Sequence, residues 1–255
     1  MTIIIVNFNT RDLTLGCIDS IRKSRSKVNY EIIVVDNASR EPIKIKDVKI
    51  IYNKENLGFA KANNQGIKIA KGEYILLLNS DTLVERREID KLYKFAKNTP
   101  DAGVVGARLL NSDATIQPSV FRFPTIGLAI RQYFLGQKNI MDKYYPKGND
   151  PCGVDAVVGA CFLITPKAME TVGGLNEKYF MYFEDIDYCR AVGKAGLKVY
   201  YLPTSEITHI HGASGGGSDY LVASSKIYHG IVGYYILFII MWLGQKWEKL
   251  LKTGS

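Results

Sequence analysis

Several absences narrow what this chain can be. Four cysteines (Cys17, Cys152, Cys161 and Cys189) form no C-x-x-C pair; set in apolar or mixed runs, they read as core thiols of a reducing compartment. No G-x-G-x-x-G follows the first apolar run, and no G-x-x-x-x-G-K-[ST] occurs anywhere. Dinucleotide and P-loop chemistries are therefore excluded. There is no internal repeat and no Ser/His/Asp set with nucleophile-elbow spacing. No long Lys/Arg block or nucleic-acid motif is present, so nucleic acid is not an expected partner. The first residues carry no basic leader or cleavage site, and no signal peptide is expected.

What is present is ordinary globular material. The 255 residues are 47% hydrophobic and 23% charged, enough for one large domain or one domain with an appendage. The net charge of +8 suits acidic lipid or a phosphorylated small molecule.

Apolar runs alternate with helical patterns. Strands are expected over 2–8, 31–39, 48–53, 74–82 and 102–110, and helices over 11–24, 58–72 and 87–98. Continuous apolar strands between helices imply a mostly parallel sheet covered on both faces. Ligands bind at the C-terminal strand ends of such sheets. The polar residues there are Asn7 and Asn9, Asp36 and Asn37, then Asn79, Ser80 and Asp81. They read either as a site or as ordinary turn formers. Residues 111–153 lack periodicity and read as loops and short elements. A strand over 154–164, a short helix over 165–174 and strands over 197–203 and 206–212 follow. Residues 212–219 read as a hinge or lid.

"YFMYFEDIDYCRAVGKAG" (179–196) places three carboxylates, Glu184, Asp185 and Asp187, at the start of a helix. Acids are favourable in a first turn, so a plain capping reading stands. Helical geometry separates them, because each residue advances about 100°. Asp187 shares a solvated face with Arg190 and Lys194. Asp185 shares the apolar face with Cys189 and Val192, where a carboxylate needs a partner or a task.

The uncharged stretch "IVGYYILFIIMWLG" (231–244) precedes "QKWEKLLK". It is short for a membrane span of about 20 residues. Trp242 and Trp247 with Lys246, Lys249 and Lys252 read as an interfacial anchor, or else the helix belongs to the core or a dimer interface.

Taken in order, "IIIVNFNT", "IIVVDNAS", "NLGFAKANNQGI", "YILLLNSDT", "VVGACFLI", "VGGLNEKYFMYFEDIDYCRAVGKAGLKVYYLP" and "ITHIHGAS" resemble the family 2 glycosyltransferases of GT-A fold. The likeness runs from about Thr2 to Ser214 and lies nearest bacterial rhamnosyltransferases of cell-wall and O-antigen assembly. It implies an α/β GT-A (Rossmann-like) domain over 1–214, with a nucleotide-sugar half to about 110 and an acceptor half beyond. The hinge and membrane-associating helix make up 215–255. It implies inverting transfer of a sugar, with L-rhamnose first, from a dTDP- or UDP-sugar to a glycan or lipid-linked acceptor. The expected location is cytoplasmic, peripheral on the inner face of the cell membrane, with a homodimer as a further partner.

By resemblance, Val6, Asn7 and Phe8 line the base, and Asp36 holds the base or ribose. Asn56, Gly58 and Asn63 lie near the nucleotide. Asn79, Ser80 and Asp81 stand at the D-x-D motif, of which one acid remains. Asp81 and His209 would hold Mg2+ or Mn2+, with His211 the rival ligand. Asp185 matches the catalytic base, supported by Glu184. Two other readings are a sugar-phosphate nucleotidyltransferase and a non-catalytic nucleotide-sugar-binding protein. The first would need a glycine-rich basic loop where "NFNTRD" stands.

Overall fold

The computed structural model describes residues 1–210 and 217–253, with side chains to 247 in the last helix. The predicted boundary at 214–215, the lid glycines before 217 and His211 lie outside the described residues.

The first half follows the expected alternation. It comprises β1 (Thr2–Asn7), α1 (Arg11–Lys23), β2 (Glu31–Asp36), β3 (Lys49–Tyr52), α2 (Phe59–Ile69), β4 (Ile75–Leu78), β5 (Thr82–Val84), α3 (Glu88–Asn98) and β6 (Ala102–Leu110). The expected strand 74–82 is thus two strands, split where Asn79-Ser80-Asp81 turns the chain. The second half adds β7 (Ile116–Gln117), β8 (Val120–Phe121), α4 (Ile126–Phe134), β9 (Cys152–Val154), β10 (Ala156–Val157), β11 (Cys161–Ile164), α5 (Pro166–Thr171), α6 (Glu184–Lys194), β12 (Lys198–His209) and α7 (Ser218–Thr253).

The main sheet runs β3-β2-β1-β4-β11-β6-β12-β5. β1 pairs in parallel with β2 and β4, and β6 with β12, but β11 is antiparallel to both β4 and β6. The sheet is therefore mixed at its centre. The cause is the route of the chain. After β6 it makes its 111–160 excursion at the strands' C-terminal edge and re-enters from there, so β11 runs backwards. β1, β2, β4 and β6 are nearly continuously apolar because both faces are covered, whereas the edge strand β3 is partly exposed. Ile3 and Ile5 join α1 and α3 on one side, whereas Ile4 joins α2 and α6 on the other.

α4 is one of the short elements expected within 111–153, started by Thr125, whose hydroxyl accepts from Leu128 N. Two other expectations change. The strands expected at 197–203 and 206–212 join as β12, with a register shift between Leu202 and Glu206. Pro203 sits in that shift, where a missing N–H is harmless. Cys17, Cys161 and Cys189 are buried thiols, but Cys152 is partly exposed.

α7 breaks at Gly230, whose backbone is not helical (φ 70°, ψ 162°). Among the described residues, Ser218–Trp247 is the one helix long and apolar enough to cross a membrane, by length and composition only.

Candidate active site

The predicted residues collect at the C-terminal edge of the sheet, joined by short hydrogen bonds. Asn7, fully buried, ends β1. Its Nδ2 donates to Asp36 Oδ2 and to Ser39 Oγ, each at 2.9 Å, and its Oδ1 accepts from Thr10 and Thr14. Asp36 also accepts from Ser39 N (2.9 Å) and Ile43 N (3.0 Å). Asp36 is 1% exposed, so here it organises the loop between β2 and β3. Val6 is half-buried, and the Phe8 ring stands exposed at the rim.

Asn37 ties the next loop. Its Oδ1 accepts from Asn53 Nδ2 and Leu57 N, and its Nδ2 donates to Asn56 Oδ1 at 2.7 Å. Gly58 has φ +82°, and a Cβ there would lie 2.3 Å from the Phe180 carbonyl oxygen. Only glycine lets the start of α2 meet that carbonyl, which accepts from Phe59 N at 2.8 Å. Asn63 stands apart: it is buried and donates to Phe59 O within its own helix.

The turn at 79–81 is anchored to the start of α1 and to the residues flanking β11 and β12. Ser80 Oγ lies 3.0 Å from Thr10 Oγ1, Asn79 N donates to Ala160 O, and Ile210 N donates to Asp81 O. Asp81 Oδ1 is buried and has no hydrogen-bond donor, although His209 Nε2 lies 3.3 Å away. The histidine's other nitrogen decides how that contact is read. Nδ1 donates to Gln117 Oε1 at 2.7 Å, and the Gln117 amide is oriented because its Nε2 donates to Asn111 Oδ1. Assigning the proton to Nδ1 leaves Nε2 an acceptor. Nε2 then accepts from Asn79 Nδ2 at 3.5 Å and faces Asp81 Oδ1, the acceptor that lacks a donor, and a cation held by the carboxylate and the imidazole would satisfy it. Carboxylate and imidazole with a fixed second shell suit a divalent ion. Among the described residues no group of three or more His, Cys, Asp or Glu forms a complete ligand set. Diphosphate and water would therefore complete one.

One residue from Ala160, Gly159 N donates to Asp185 Oδ2 at 3.0 Å, and Ile186 N donates to Oδ1 at 2.8 Å. Burial raises the Asp185 pKa, and these amides and the Lys143 charge partly oppose it. Glu184 is buried near Phe59, Leu77 and Phe162, with Oε2 lacking a hydrogen bond. Burial and then the Asp185 charge push its pKa up. The two acids are aimed by an unusual backbone. Tyr182 and Phe183 are consecutive non-glycine residues with positive φ, 72° and 69°. Left-handed L-residues cost roughly 1–2 kcal/mol each, so packing must hold them. Ser224 Oγ donates to Met181 O at 2.7 Å, and Phe180 stacks on Tyr220 at 4.6 Å. Asp187 pairs with Arg190 at 2.6 Å as its spacing predicts. That face is only partly solvated: Lys194 is exposed, but Tyr228 of α7 covers Arg190, its ring 4.0 Å from the guanidinium carbon.

Residues 2–172 match the model of glycosyl transferase family 2. The chain belongs to that family. The transferase is 28% identical over 211 residues to the N-acetylglucosaminyl-diphospho-decaprenol L-rhamnosyltransferase of Mycobacterium tuberculosis, covering 74% of this chain and 68% of that protein. It is 26% identical over 212 residues to the rhamnosyltransferase WbbL of Escherichia coli, covering 75% and 78%. Among solved structures, GalNAc-T7 with UDP, GalNAc and Mn2+ superposes with a TM-score of 0.65 at 16% identity. That match covers 89% of this chain and 47% of that one. Staphylococcus aureus TarS gives 0.60 at 12% identity, covering 89% and 38%. The transferase thus spans less than half of either structural neighbour. Its fold is the GT-A type.

Sequence reasoning missed Gln117 and Gly159 as site residues. Gln117 lay in a stretch without periodicity, 92 positions from its partner. Gly159 was visible inside "VVGACFLI", but nothing marked its amide as the tether of Asp185.

Proposed function

We propose that this glycosyltransferase moves a sugar, L-rhamnose first, from a nucleoside diphosphate donor to an acceptor hydroxyl with inversion at the anomeric carbon. The single observation that carries the reading is Asp185. Its carboxylate is held by two backbone amides at the sheet edge, one residue from the anchor of the 79–81 turn. The rhamnosyltransferase names of the two relatives support the sugar.

Asp185 takes the proton from the acceptor hydroxyl as its oxygen bonds to the anomeric carbon, and the sugar–diphosphate bond breaks on the opposite side. The raised pKa makes Asp185 a better proton acceptor than an ordinary aspartate. Glu184, buried behind it and largely protonated, limits competing negative charge. Asn7 and Asp36 hold the loops whose rim carries Val6 and Phe8, where a planar base would rest. Asn56, Gly58 and Asn37 shape the adjoining wall. A Mg2+ or Mn2+ ion held by Asp81 and His209 would neutralise charge on the departing diphosphate.

Incubation with a panel of dTDP- and UDP-sugars, reading nucleotide release and product anomeric configuration by NMR, tests this. Faster turnover of a UDP-hexose overturns the rhamnose assignment. Retention of configuration overturns the single-displacement role of Asp185.

A further inference from the structure

The two halves of α7 have different surroundings. The half before Gly230 packs on the catalytic segment through Ser224, Tyr220 and Tyr228. The half after it packs on α4: a Cβ on Gly244 would lie 2.4 Å from the Tyr133 side chain. Its other side is bare. Ile231, Val232, Phe238, Ile239, Trp242 and Leu243 are 45–73% exposed. At about 100° per residue they span an arc of about 140°, wider than the a/d seam that one partner helix covers. On α4, Phe134 (44%) and Leu135 (67%) extend the same kind of surface.

We propose that α4 and the distal half of α7 form one docking face for an anionic lipid bilayer. Charge selects this occupant over a second copy of the chain. Residues 126–141 and 220–247 contain no aspartate or glutamate, but they carry Arg131, Lys138, Lys226 and Lys246. Two such faces would repel each other, whereas acidic headgroups attract them. Lys246 Nζ lies 3.8 Å from the Trp242 ring centre, a lysine folded along an aromatic as at an interface. The face lies along the bilayer rather than crossing it. The uncharged run after Gly230, residues 231–245, reaches only about 22 Å, less than the hydrocarbon thickness of about 30 Å, and charged residues follow it. One side also remains covered by α4. Because the proximal half of α7 holds Met181, docking would seat the Asp185 edge near the membrane. Presentation of the acceptor from the lipid is the one part that rests on the proposed transfer reaction.

The two tryptophans of the chain, Trp242 and Trp247, both lie in α7, so selectively excited tryptophan fluorescence reads this helix alone. The full chain is floated with phosphatidylglycerol/phosphatidylcholine vesicles, and with vesicles carrying brominated acyl chains. The expected results are flotation, a blue-shifted emission and bromine quenching. Phe134→Glu and Leu135→Glu should lower vesicle binding at least tenfold without touching α7, while lipid-free nucleotide release stays unchanged. A chain that neither floats nor quenches overturns the proposal. So does a blue shift on concentration-dependent dimerisation without vesicles, which assigns the face to a second copy. Binding unaffected by the α4 substitutions overturns the shared face. Donor turnover without lipid is read separately, so failure of the transferase reading is distinguishable.

Discussion

Replacing Gly58 by alanine tests whether the catalytic acids are aimed through backbone contact. The substitution forces an L-residue into a left-handed conformation, at roughly 1–2 kcal/mol. The new Cβ would sit 2.3 Å from Phe180 O and 2.9 Å from Phe180 C and Cα, all backbone atoms that cannot rotate away. Relief requires the two segments to part by about 1 Å, which strains or breaks the Phe59 N–Phe180 O bond, worth about 1 kcal/mol. A loss of about 2–3 kcal/mol follows, a large share of a typical stability of 5–15 kcal/mol. The displaced Phe180 leads directly into Tyr182 and Phe183, so Asp185 shifts with it. Misplacement on the 1 Å scale costs roughly 10²-fold in rate. Urea unfolding and nucleotide release measure the two effects. Gly193→Ala in α6 is the control: nothing lies within 4 Å of its Cβ position, and stability should hold or rise slightly. A Gly58→Ala protein within 1 kcal/mol and twofold of the parent refutes the reasoning.

Asp185→Asn should lower turnover by roughly 10²–10⁴ while donor binding, read by calorimetry, persists; turnover within threefold of the parent removes Asp185 as base. Gln117→Leu frees the His209 ring, and should weaken Mn2+ binding by roughly 10–100-fold in a titration with nucleotide present; unchanged affinity refutes the tautomer assignment. Glu184, raised from 4.5 to about 8 by burial and by Asp185, keeps its proton in the folded chain where the unfolded chain loses it. Folded protein then binds the extra proton, so stability is full below about pH 4.5 and falls as pH rises toward 8, by at most about 1.4 kcal/mol per pH unit. Glu184→Gln should flatten that part of the Tm–pH profile; parallel profiles of the two proteins count against it.

The parallel half of the sheet was legible because its strands are continuously apolar and its helices are periodic. The position of Asp185 was legible for a related reason: helical spacing put it with Cys189 and Val192, which are indeed buried. The direction of β11 was not, since direction depends on the route through 111–160 and no local pattern encodes a route. α4 carries a local start signal, Pro124-Thr125 before nine residues that are mostly apolar apart from Arg131 and Gln132. The "NLGF" glycine was visible as a motif, but its closest structural contact is the Phe180 backbone rather than an exposed pocket. Gln117 had no local signal, because its meaning comes from a strand 92 positions away.

The backward strand also bears on how the chain is synthesised. β11 fills the middle of the sheet, yet it begins at Cys161. Until it emerges from the ribosome, β4 and β6 lack a neighbour, and each offers an unpaired, apolar strand edge. Such edges template association between nascent chains. A fragment ending before Cys161 keeps four parallel strands and much of their helical cover but leaves the Ile75–Leu78 edge open. Truncations there should collect in the insoluble fraction, and chaperone demand should peak over the interval in which residues 111–160 are being made.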